Sequence, residues 1–86
     1  MTKYVMLILI DKRQETAVAV QKVLTDHGGL IKTRLGIHDT SEAGESNAGL
    51  LVLELIGDDA RRAQLQKDLD EISGVKTKLE KMSLES

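Results

Sequence analysis

The chain contains no cysteine, proline, phenylalanine or tryptophan, and only one tyrosine, Tyr4. Each absence removes a class of explanation. Without cysteine there are no disulfides and no thiolate metal sites, and copper carriers that need a Cys pair after the first strand are excluded. The same absence fits a reducing compartment, so a cytoplasmic location is expected. A single aromatic ring cannot supply the paired stacking platforms on which single-stranded RNA is read. The net charge of −2 provides no global field for nucleic acid, and no direct nucleic-acid contact is expected. A phosphate cradle after the first strand needs glycine, whereas Asp11-Lys12-Arg13-Gln14 has none. The apolar opening, residues 1–10, is short and meets Asp11-Lys12-Arg13 without a small-residue cleavage site. It reads as a strand rather than a signal peptide or membrane span.

What remains is 86 residues with 41% apolar and 30% charged content, enough for one globular domain over 1–86. A domain this small buries only roughly 60–65% of the surface that its unfolded chain exposes. Disulfides being excluded, oligomerisation is the open route to further stability. Residues 3–10 form an apolar run that predicts strand 1. Asp11-Lys12-Arg13-Gln14 has capping-box spacing and predicts a helix to about His27, with Thr16, Ala17, Val20, Val23, Leu24 and His27 on one face. Gly28-Gly29 should end it in a left-handed conformation. Residues 30–38 alternate, with Ile31, Thr33, Leu35 and Ile37 opposed to Lys32, Arg34, Gly36 and His38, as in a half-buried strand 2. Residues 39–47 are polar and predict a long hairpin loop, expected to be mobile. Residues 49–56 are again almost wholly apolar, strand 3. Gly57-Asp58-Asp59 predicts a turn with an N-cap, then a second helix to about Ile72 with Leu65, Leu69 and Ile72 inward. The stems of Arg61 and Arg62 should snorkel over the core edge with free guanidinium groups. Ser73-Gly74 stops this helix, residues 75–82 alternate as strand 4, and 83–86 are a frayed tail.

This βαββαβ order predicts an α+β, ferredoxin-like sandwich: a four-stranded antiparallel sheet of order 4-1-3-2 with both helices on one face. Strands 1 and 3 are then central. Two helices cover one face only, so a central strand should alternate. Here both faces are apolar: Met6, Ile8 and Ile10 against Val5, Leu7 and Leu9 in strand 1, and Leu51, Leu53 and Leu55 against Leu50, Val52 and Ile56 in strand 3, broken by Glu54. An exposed stripe of that kind is unusual in a monomer. The pattern predicts a homo-oligomer, dimer or tetramer, joined through the open sheet face or an edge strand.

Candidate chemistry is sparse. His27 lies in the last turn of helix 1, where a structural role is expected. His38 closes strand 2 beside Asp39 and, by the alternation, on the face of Arg34; Arg34, His38 and Asp39 are the candidate ligand-binding residues, with His38 a weak metal candidate. Lys32 and Arg34, with Lys76 and Lys78, should give both edges of one sheet face a basic character. No nucleophile–base pair at useful spacing appears, so no catalytic residue, enzyme activity or cofactor is expected.

The strings Arg34-Leu35-Gly36-Ile37-His38-Asp39, Gly49-Leu50-Leu51-Val52-Leu53-Glu54-Leu55 and Ile72-Ser73-Gly74-Val75-Lys76 resemble those of small stand-alone iron-only hydrogenase system regulators. That family is ACT-like and similar to the C-terminal domain of the nickel-responsive repressor. The resemblance implies an ACT-like fold, dimers or tetramers, and a regulatory role. Two departures stand out. The repressor's metal site needs several histidines and a cysteine, and only His38 lies in a comparable place. ACT domains often place a glycine after strand 1 to admit an amino acid, and Asp11-Lys12-Arg13 has none. The resulting expectation is a non-enzymatic regulatory or ligand-sensing oligomer, with small-molecule binding near Arg34, His38 and Asp39, acting on transcription through a protein partner. The alternative is a structural or adaptor subunit. A metal-binding protein, through His38, or a small enzyme ranks below both.

Overall fold

The computed structural model describes residues 1–37 and 48–85. The loop expected over 39–47, together with His38, lies outside the described residues. The elements run β1 (Thr2–Asp11), α1 (Gln14–Asp26), a 3-10 turn (Gly28–Leu30), β2 (Ile31–Ile37), β3 (Ala48–Leu55), α2 (Asp59–Asp70) and β4 (Val75–Ser83). The sheet is antiparallel throughout with order β2-β3-β1-β4, the expected order read in reverse.

The core forms where the inward faces of β1 and β3 meet the two helices. Met6 pairs with Leu53 and Ile8 with Leu51 across the ladder, and Met6, Ile8 and Leu53 are fully buried. Val20 and Leu24 of α1 and Leu65 and Leu69 of α2 close the same cluster. Asp58 caps α2 as expected, its carboxylate accepting the Arg61 N–H at 2.8 Å. Gly74 turns the chain into β4 with φ of +89°, a conformation that glycine adopts without steric cost.

Several local expectations give way to longer-range forces. Asp11 does not cap α1. The ladder carries β1 one residue further, where the Asp11 N–H donates to the Gly74 carbonyl at 2.9 Å. Its carboxylate instead accepts from the Arg13 backbone N–H at 3.1 Å and from Arg13 Nε at 2.8 Å. Helix α1 therefore begins after Arg13 with no side-chain cap. Gly28 and Gly29 fold into the 3-10 turn without positive φ, because the Leu30 N–H reaches the His27 carbonyl. Arg62 does not snorkel. It is buried, its guanidinium lies 3.6 Å from the centre of the Tyr4 ring, and its nitrogens donate to the Gly57 carbonyl and the Asp59 carboxylate. Ser83, placed in the tail by sequence, closes β4 with its hydroxyl 3.0 Å from that of Thr2.

The most consequential departure is in β2. Ile31 pairs with Leu55, but a register shift between Ile31 and Thr33 breaks the alternation. Beyond it Thr33 pairs with Glu54, Arg34 with Leu53 and Leu35 with Val52. Ile31, Arg34 and Gly36 thereby share the helix-facing side, and Thr33 and Leu35 fall on the open side. Lys76 and Lys78, opposite Leu9 and Leu7, also lie on the open side. Arg34 is thus on the opposite face of the sheet from these lysines, and of the four basic residues expected on one face only Lys32, Lys76 and Lys78 share it.

Candidate functional site

The bulge puts Arg34 at a hollow. A cavity of about 520 Å³ opens between the first half of α1 and the sheet corner where β1 ends and β3 begins. Its existence traces to two glycines. Gly36, opposite Leu51, and Gly49, opposite Ile10, occupy neighbouring helix-facing positions on β2 and β3. Among the described residues a Cβ on Gly49 would meet nothing within 4 Å, and one on Gly36 would touch only Leu51 Cδ2 at 3.6 Å. Neither glycine has a positive φ. Their effect is simply that two side chains are missing from the layer between sheet and helix.

Apolar groups from both layers bound the hollow: Ile10 and Leu51 from the sheet, Ala17 and Val20 from α1. Four charged residues stand on its wall: Asp11, Lys12, Arg13 and Arg34. Arg13 is engaged, tied to Asp11, to the Ser73 carbonyl at 3.2 Å and to Glu15 at 3.7 Å. Arg34 Nη1 donates to Gln21 Oε1 at 3.0 Å, a neutral acceptor, and among the described residues Arg34 makes no ion pair. Lys12 makes no ion pair among the described residues. The positive end of the α1 dipole adds to the same side. Asp11 sits below its ordinary value of 3.8, held first by the Thr16 hydroxyl and then by the Arg13 N–H and guanidinium, with burial opposing. Among the described residues the buried Thr16 Oγ1 completes no hydrogen bond, so the Arg13 contacts are the formed bonds that hold this carboxylate.

Of the three residues expected at a ligand site, Arg34 lines this cleft. His38 and Asp39 lie outside the described residues. Lys12, Gly36 and Gly49 were not singled out by the sequence, although two glycines in otherwise apolar strand positions are a known mark of an unfilled or closely approached site. Among the described residues no group of three or more metal-ligating side chains occurs, and no helix is long and apolar enough to cross a membrane.

The other face of the sheet is apolar at its centre. Val5, Leu7 and Leu9 of β1 stand beside Leu50 and Val52 of β3 and Leu35 of β2, with Leu9 49% and Leu35 57% exposed. Glu54, the polar break in β3, is matched on that face by Lys3 at 2.9 Å and Lys32 at 3.9 Å. These contacts hold its carboxyl below the ordinary 4.5, the Lys3 hydrogen bond contributing most.

His27 proves structural. Its Nε2 lies 2.8 Å from Asp68 Oδ2, joining the end of α1 to α2, and Gln64 Nε2 donates to the other Asp68 oxygen at 2.8 Å. The His27 contact is the largest cause of a lowered Asp68 pKa, followed by Gln64. Asp11, Glu54 and Asp68 are therefore all depressed in the folded state. Such groups stabilise the fold above their unfolded pKa values, and that contribution disappears as pH falls through the folded ones. Thermal unfolding followed by circular dichroism should show a flat midpoint down to about pH 5, then a steady fall. Asp68→Asn should make that fall shallower. A midpoint independent of pH between about 5 and 2 would contradict these assignments.

No protein-family model matches the chain, and no curated protein sequence does. Solved structures do. An uncharacterised protein from Thermotoga maritima superposes with a TM-score of 0.83 at 24% identity, over 96% of this chain and 100% of that one. A PII-like signalling protein, so described, from Thermus thermophilus gives 0.61 at 9% identity over 95% and 87%. A formyltetrahydrofolate deformylase from Pseudomonas putida gives 0.59 at 14% identity, over 91% of this chain but 28% of the enzyme. The fold is ferredoxin-like. At these identities the likeness concerns architecture alone.

Proposed function

We propose that this chain is a non-enzymatic regulatory domain of the cytoplasm that works as a homo-oligomer, two copies packing through the open faces of their sheets, and that it acts through a protein partner. The observation that carries the reading is the apolar centre of the open face. Four strands about 4.8 Å apart and about eight residues long present a face on the order of 500 Å². Two such faces reach about 1,000 Å² in total, the lower bound for a specific interface. Covering a few hundred Å² of apolar surface at ~25 cal/mol per Å² contributes several kcal/mol. Glu54 does not oppose this, since Lys3 and Lys32 already match its charge within its own chain. The resemblance to the hydrogenase-system regulators and the likeness in fold to a protein described as PII-like and signalling favour regulation over architecture.

Sedimentation velocity at micromolar concentration should give at least twice the 9.4 kDa chain mass. Leu7→Glu, at the middle of the patch, should leave the circular dichroism spectrum intact. It should weaken association by more than about a hundredfold, because each copy then buries an unpaired carboxylate. A monomeric wild type overturns the proposal. Thermal stability measured against amino acids, nucleotides and divalent metals separates a regulator from an adaptor. A bound effector raises the unfolding midpoint by mass action, whereas indifference to every class assigns a purely architectural subunit.

A further inference from the structure

We infer that the hollow between α1 and the Gly36–Gly49 corner of the sheet binds a small organic carboxylate with an apolar body and no ammonium group. This rests on the regulatory reading only in supplying its effector; the site itself is argued from its own lining. The volume, about 520 Å³, is within the range of small-molecule sites, and the lining has the usual composition of an apolar surface with few polar groups. The chain carries a net charge of −2, yet the cleft wall bears three cations and one anion. Arg13 and Asp11 cancel each other at 2.8 Å. Among the described residues Lys12 and Arg34 face no carboxylate partner and can meet an incoming negative charge, and a planar guanidinium suits a carboxylate.

The same geometry sets the specificity. An α-ammonium group needs an acceptor, and the only carboxylate on the wall among the described residues, Asp11, has its oxygens turned to Arg13, one to the backbone N–H and one to Nε. That carboxylate, held ionised, also disfavours a doubly charged phosphate monoester over a singly charged acid. The ligand's body would lie against Ile10, Leu51 and Val20, in the volume that side chains at Gly36 and Gly49 would otherwise fill.

Titration of ¹⁵N-labelled protein with 4-methylpentanoate tests this. Amide shifts should saturate and map to residues 10–13, 34–36 and 49–51. The neutral 4-methylpentanamide, leucine and inorganic phosphate should each bind at least about tenfold more weakly, as should 4-methylpentanoate to the Lys12→Gln/Arg34→Gln double variant. Gly49→Leu, whose Cβ meets no atom of the described residues, fills the hollow and should abolish the shifts while the spectrum stays folded. Equal binding of the neutral amide, leucine or phosphate overturns the assignment. So do shifts confined to the open face around Val5, Leu7 and Val52, or an absence of saturation. Repeating the titration on Leu7→Glu separates the two claims. Binding retained by a monomer upholds the cleft whatever becomes of the assembly, and a wild type that assembles without binding removes the cleft alone.

Discussion

Leu53→Ala should lower the unfolding free energy by about 3–4 kcal/mol, the middle of the range for deleting a buried leucine in a site that cannot collapse. Leu53 is fully buried and sits between Met6 on β1 and Arg34 on β2. Strand spacing is fixed by the ladders on both sides, so neighbouring backbones cannot close over the lost volume. For a domain of this size the thermal midpoint should drop by about 15–25 °C. The informative control is Leu9→Ala. Leu9 has the same side chain on a central strand but faces the open side, 49% exposed. Measured in the Leu7→Glu background, where assembly no longer contributes, Leu9→Ala should cost less than about 1 kcal/mol. Equal costs for the two substitutions would mean that the faces have been assigned wrongly.

Gly74→Ala should cost about 2–4 kcal/mol for a different reason, a combination of backbone strain and lost hydrogen bonds. With φ at +89° any side chain is strained, by about 1–2 kcal/mol. A Cβ there would also overlap the Asp11 carboxylate, standing 2.6 Å from its Cγ and 2.9 Å from Arg13 Nη2. Relief requires Asp11 to swing away and surrender its bonds to Arg13. Gly49→Ala is the matched control, since its added methyl meets nothing among the described residues and its φ is not positive. Denaturant midpoints should separate the two variants clearly. A harmless Gly74→Ala would show that the Asp11–Arg13 turn is not fixed as described.

The architecture was legible because burial imposes periodicity on strands. β4 shows it plainly, with Val75, Thr77 and Leu79 turned inward and Lys76, Lys78 and Glu80 outward. The same rule misled at β2. A single displaced residue leaves the composition of a strand unchanged but reassigns its faces, and this moved Arg34 from the lysine face to the cleft. Asp11 misled in the opposite sense. Its spacing to Gln14 satisfied a local capping rule, but the ladder to β4 competed for the same backbone and prevailed. Arg62 could not have been placed by spacing alone. Its burial depends on Tyr4, which lies 58 positions away in sequence yet directly beneath its guanidinium. The hollow was hidden for a related reason. Gly36 and Gly49 each look like an ordinary weak point in a strand, and only the register makes them neighbours.

β1 also constrains the order in which the domain can be completed. It precedes the domain's other elements in the chain, it is apolar on both faces, and both of its edges bond to strands made later, β3 and β4. Ala48, the first residue of β3, follows Asp11 by 37 positions. At roughly 5–20 residues per second, β1 therefore waits about 2–7 s for its first partner and longer for its second. Through that interval Val5-Met6-Leu7-Ile8-Leu9-Ile10, uncharged and strongly strand-forming, is the segment most exposed to mispairing with another nascent chain. Its two-sided character therefore leaves β1 with two apolar faces and two unpaired edges to shield until β3 and β4 have both been made.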